Sequence, residues 1–103
     1  EEVLDVYEDL MAGLLQTLGE ADPMVARCLN EVGLVYFKQR RFRDAERVLV
    51  HAITILHQFD GLRDRQLAAT MQNQAMVMKH LGRPEESQRL LRQAMTLLEE
   101  KAA

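Results

Sequence analysis

The sequence predicts an all-α fold of antiparallel helical hairpins stacked as a short solenoid of about five helices. Three observations carry this reading. Shifting the chain by 42 residues lays it on itself without a gap: Leu14, Leu56 and Leu98 coincide, as do Val6, Val48 and Leu90, Tyr7, Leu49 and Leu91, and Met11, Ile53 and Met95. Apolar residues recur at three- and four-residue spacing, as one face of a helix requires. Pro23, Pro84, Gly19, Gly61 and Gly82 fall between these stripes, where turns belong.

The elements follow in order. Residues 2–18 form a leading helix closed by Gly19, the second half of an incomplete repeat over residues 1–20. The first full repeat, 22–61, opens with a helix over Pro23–Arg40. The Asp22 carboxylate can accept orphan N–H groups at its start, and Pro23 sits at the first helical position, where a missing N–H costs nothing. Val25, Leu29, Val32 and Tyr36 make its buried stripe. The partner helix runs over Phe42–Gln58 on Ala45, Val48, Leu49, Ala52, Ile53 and Leu56. The second full repeat, 64–103, starts with a helix over Asp64–Leu81, ended by Gly82 in a left-handed cap. Its last helix begins at Pro84, with Glu85 and Glu86 in the favourable first turn, and carries Leu90, Leu91, Ala94, Met95 and Leu98. Gly33 and Ala75, Ala45 and Ser87, and Ala52 and Ala94 hold equivalent slots. Small residues there let helix axes approach closely.

Composition bounds the rest. One domain fits 103 residues, with 48% apolar residues for a core and only 5% aromatic. No apolar run approaches the roughly 18 residues that span a bilayer. The opening Glu1-Glu2-Val3 is no signal peptide, and with no initiator Met it predicts a segment of a longer protein. A lone cysteine, Cys28, excludes an internal disulfide and fits a reducing, cytoplasmic location. Net charge is −3, unevenly spread: residues 1–22 hold seven acids and no Lys or Arg, whereas residues 27–92 hold twelve Lys or Arg against seven acids. That basic middle suits an acidic partner.

These residues resemble the tetratricopeptide repeat. Its pattern reads here as Leu29, Val32-Gly33, Tyr36, Arg40-x-Phe42, Ala45, Leu49 and Ala52, and again as Met71, Gln74-Ala75, Met78, Gly82-x-Pro84, Ser87, Leu91 and Ala94. Gln74 and Met78 depart from the usual Leu and Tyr, and His57 stands where a proline usually closes the unit. The common unit is eight residues shorter. The 42-residue period, with Leu18-Gly19-x-x-Asp22-Pro23-x-Val25-Ala26 leading into Leu29-Asn30, is similar to repeats of kinesin light chains. The resemblance implies a right-handed solenoid whose first helices line a concave face that binds peptides.

Catalytic chemistry finds no footing. His51, His57 and His80 share no metal-ligand spacing with one another or with Cys28. The single serine, Ser87, occupies a packing slot, there is no phosphate-binding glycine loop, and Glu85-Glu86 and Glu99-Glu100 read as helix-end charges. The chain is therefore expected to be no enzyme, with no metal and no cofactor. Lys38-Gln39-Arg40-Arg41-Phe42-Arg43 is basic, but it is a short interhelix turn in an acidic chain, so no nucleic-acid partner is expected.

The family's groove positions, carried residue by residue, fall on Arg27, Asn30, Glu31, Leu34, Phe37 and Lys38 in the first full repeat. In the second they fall on Ala69, Gln72, Asn73, Met76, Lys79 and His80. Asn30, Gln72 and Asn73 each offer a donor and an acceptor to a peptide backbone. Lys38, Lys79 and Arg27 attract acidic side chains, and Leu34, Phe37 and Met76 supply apolar contact. The Lys-and-Asn carboxylate clamp of chaperone-binding members is not matched, since Asn30 and Leu34 stand there. The expected function is a peptide- or protein-binding scaffold. The alternative is self-association through uncapped solenoid ends, with Met71, Met76 and Met78 close together.

Overall fold

A computed structural model describes residues 22–59 and 61–102, with isolated positions 9, 13 and 16. The described chain contains four α-helices: α1 (Pro23–Lys38), α2 (Phe42–Leu56), α3 (Asp64–His80) and α4 (Pro84–Ala102). A 3₁₀ turn, His57–Phe59, follows α2. The predicted leading helix lies outside the described residues. Predicted helix ends differ by one or two residues, because each last turn tightens or unwinds as its carbonyls find other partners.

Local chemistry sets the boundaries. Asp22 has extended backbone angles, and its carboxylate accepts the Met24 N–H at 2.8 Å. Pro23 follows at the first helical position. The two first helices, α1 and α3, end in the same way. Arg40, at φ +61°, is followed by an Arg41 N–H donating to the Tyr36 carbonyl at 2.9 Å. Gly82, at φ +77°, is followed by an Arg83 N–H donating to the Met78 carbonyl at 2.9 Å. This six-to-one bond around a left-handed residue satisfies orphan carbonyls and turns the chain back on itself. Glycine takes that conformation freely. Arginine does not.

The hairpins α1–α2 and α3–α4 stack so that α2 packs against both α1 and α3, and α1 and α3 also meet directly. The core is built from Val25, Leu29, Val32 and Tyr36 of α1, Val48, Leu49 and Leu56 of α2, and Leu67 and Met71 of α3. Gly33 explains the closest approach. A Cβ at this position would stand 2.7 Å from Cγ and Cδ2 of Leu49, which is fully buried over it. In α4 the equivalent of Ala45 is Ser87, whose buried hydroxyl donates to the Ala75 carbonyl at 2.7 Å. A serine therefore fits this small-residue slot without leaving a polar group unpaired.

Candidate functional site

The first helices of the two hairpins lie side by side, and two bonds tie them across 43 residues of sequence. The Asn73 side chain donates from Nδ2 to Asn30 Oδ1 at 2.8 Å. Nearer the helix starts, Gln66 Nε2 donates to the Pro23 carbonyl at 3.2 Å. Asn30 and Asn73, two of the expected groove residues, thus meet at the middle of one shared face. Their mutual bond uses one acceptor of Asn30 and one donor of Asn73. Asn30 keeps its amide hydrogens and Asn73 keeps its carbonyl oxygen.

The other expected residues sort by position on this face. Arg27, Glu31, Lys38, Ala69, Gln72, Met76, Lys79 and His80 are exposed, and Asn30, Leu34, Phe37 and Asn73 are half-buried. None lies in the core, so all twelve are accessible. Arg27 borders an open cavity of about 530 Å³ at the starts of α1 and α3, which Asp22, Pro23, Met24, Arg63 and Gln66 also line. Arg27 and Arg63 stand at one end beside the Asp22 carboxylate, and Lys38 and Lys79 at the other, with Glu31 between them in sequence on α1.

Phe37 and His80 are engaged with each other. Their rings meet edge-on at 5.0 Å, and His80 stacks on Phe42 at 4.9 Å. Phe37 and Phe42 close the trio edge-on at 5.5 Å. His80 also holds the Met76 carbonyl through Nδ1 at 3.0 Å. These rings fasten the C-terminal ends of α1 and α3 to the start of α2. Their apolar faces are therefore partly spent inside the molecule. The sequence placed Phe42 at a helix start and in the repeat pattern, not among the groove residues. Its signal was the Phe at 37, five residues earlier across a tight turn.

Ionic contacts reinforce the turns. Arg41 donates from Nε to Asp44 Oδ2 at 3.0 Å, and its guanidinium lies 4.6 Å from the Tyr36 ring centroid. One repeat later, Arg83 donates to Glu86 at 2.6 Å and also reaches back to Glu46 of α2. Arg83 holds the Glu86 carboxyl below its usual range through that hydrogen bond, and the two carboxylates push the guanidinium further up. The Glu46 link ties consecutive hairpins and was not legible from the repeat, because the equivalent of Glu46 in α4 is Gln88.

Cys28 is half-buried, and burial pushes its thiol up. A raised thiol pKa reduces nucleophilicity at neutral pH. Among the described residues no group of three or more His, Cys, Asp or Glu is placed to hold a metal ion. No described helix is long and apolar enough to cross a membrane.

The model of the tetratricopeptide repeat matches residues 25–100, which takes in both hairpins. The chain belongs to the tetratricopeptide repeat family. No curated protein matches it. Tetratricopeptide repeats mediate contacts between proteins, and the face shared by α1 and α3 is the one on which this chain's first helices present unspent polar groups. Gln74 and Met78, the two departures from the repeat's usual residues, differ in their fate. Met78 is half-buried, whereas Gln74 is fully buried with neither amide atom hydrogen-bonded.

Proposed function

We propose that the chain is a non-catalytic interaction scaffold that holds an extended segment of another polypeptide along a concave face lined by α1 and α3. The observation that carries this reading is the Asn30–Asn73 pair. The bond between the two side chains fixes both rotamers before any ligand arrives, so little entropy remains to be lost on binding. It leaves an amide donor and a carbonyl acceptor side by side, which match the C=O and N–H of a passing peptide backbone whatever its side chains. Leu34 and Met76 flank the pair with apolar surface, and methionine adapts to irregular shapes. Arg27 at one end and Lys38 and Lys79 at the other favour an acidic segment. The 42-residue spacing and the asparagine positions keep the likeness to kinesin-light-chain repeats.

A display library of short random peptides tests this. Selected binders are expected to be acidic. Asn30→Ala with Asn73→Ala removes two backbone contacts of about 0.5–1.5 kcal/mol each, which weakens them about tenfold. Lys38→Glu with Lys79→Glu shifts the selected charge toward basic. Peptides that bind both double variants as well as the parent would place the site elsewhere.

A further inference from the structure

Among the described residues, the largest run of exposed apolar side chains lies on α4. Leu91, Met95 and Leu98 are 40%, 56% and 37% exposed and stand at four- and three-residue spacing on one side of the helix. Their equivalents one repeat earlier are Leu49, Ile53 and Leu56 of α2. Leu49 and Leu56 are at most 2% exposed, and Ile53 is half-buried. In α2 that surface lies inside the shared core, with Leu49 over Gly33 of α1 and with Leu67, Ala68 and Met71 of α3 in the same buried cluster. The α4 surface repeats these residues with no described helix over it.

A second copy of the chain is the occupant the residues favour. Head-to-tail stacking would lay α1 of one copy on α4 of the next. That route is closed, because Val25, Ala26 and Leu29, the equivalents of Leu67, Ala68 and Met71, are already buried to 1% exposure or less. A two-fold pairing of α4 with α4 fits the charges of α4 instead, because the helix is complementary to itself in the antiparallel direction. With Met95 on the axis, Met95 meets Met95 of the second copy, and Leu91 and Leu98 face each other. Arg92 and Glu99, each one residue beyond a stripe leucine, occupy the same flank of the helix. In this register each Arg92 lies beside the other copy's Glu99, at both edges of the contact. Both are exposed, and neither is in an ion pair among the described residues.

We infer that the chain self-associates as a two-fold dimer through Leu91, Met95 and Leu98 of α4, with Arg92 and Glu99 setting the antiparallel register. The expected alternative was self-association through uncapped solenoid ends, with Met71, Met76 and Met78 close together, and α4 lies at one end of the described stack. Met71 is buried in the core and only Met76 is exposed, so those residues form no common patch. A single helix face is a small interface, so the dimer is weak and is read at high protein concentration.

Sedimentation equilibrium of the 103-residue chain, from about 10 µM to about 1 mM, is the test. A monomer–dimer equilibrium is expected, and Met95→Glu, at an exposed position that leaves the helix intact by circular dichroism, weakens it at least about tenfold. Arg92→Glu and Glu99→Arg each weaken the homodimer by placing like charges at both edges. Mixing those two variants restores association, because every edge then carries one acid and one base. A monomer across the whole range, a dimer indifferent to Met95→Glu, oligomers beyond the dimer, or a mixture no tighter than its components each overturns the proposal.

Discussion

Leu49 and Leu91 are the same residue at the same place in consecutive repeats, yet one is fully buried and the other 40% exposed. The difference lies in their neighbours. Leu49 sits over Gly33, in the gap that a missing Cβ opens, and α2 is flanked by α1 and α3. Leu91 belongs to α4, which has α3 on one side only among the described helices. Ala75 stands at the position equivalent to Gly33. The repeat pattern thus specifies which residues are able to be buried, and the stacking order decides which are.

The sharpest way to break the equivalence is to truncate both leucines. Leu49→Ala leaves a cavity in a close-packed site and is expected to cost about 2–5 kcal/mol. Leu91→Ala removes partly solvated surface and is expected to cost under about 1 kcal/mol when measured at low concentration, where the α4 face is unpaired. Urea unfolding of the two variants reads the difference directly. Equal losses would mean that the two repeats are packed alike and that the exposed face of α4 is covered.

Gln74 gives the second contrast. Its equivalent, Val32, is an ordinary core residue at 2% exposure, whereas Gln74 is buried to 1% exposure with both amide atoms unpaired. Leaving an amide desolvated and unbonded costs about 1–3 kcal/mol. Gln74→Leu keeps a similar length, removes the unpaired atoms, and is expected to raise stability by about that amount, moving the urea midpoint upward. A lower midpoint would show that the amide is bonded to something in solution and that the second repeat is not weakened there.

These contrasts mark what the letters carried. The four described helices, the Asp22 cap, the left-handed Gly82 and the small-residue slots follow from local chemistry, in which each residue's conformational preference acts within a turn or two. The groove candidates were legible because helical spacing separates them from the core stripe. Three features needed the third dimension. The Asn30–Asn73 bond depends on how α1 and α3 align, the Phe37–Phe42–His80 trio joins three helix ends, and the Arg83–Glu46 link crosses between hairpins. Side-chain pairs 37 to 43 residues apart leave no periodic trace. The exposed face of α4 was hidden for the opposite reason: its leucines repeat those of α2 too well.

The smallest expected effect lies in the turns that close α1 and α3. Arg40 and Gly82 occupy equivalent positions, and both are left-handed, at φ +61° and +77°. For arginine that conformation costs about 1–2 kcal/mol. Glycine avoids the strain but gives the unfolded chain more freedom, worth about 0.5–1 kcal/mol. The Arg40 side chain is exposed and forms no ion pair among the described residues, so its removal subtracts little else. Arg40→Gly is therefore expected to stabilise the chain by about 0.5–1 kcal/mol, and Gly82→Arg to destabilise it by a similar amount. Both changes are read from urea midpoints at constant slope. A neutral Arg40→Gly paired with a costly Gly82→Arg would locate the strain in the second turn alone, and would mean that the shared six-to-one bond holds the first turn in place whatever residue it surrounds.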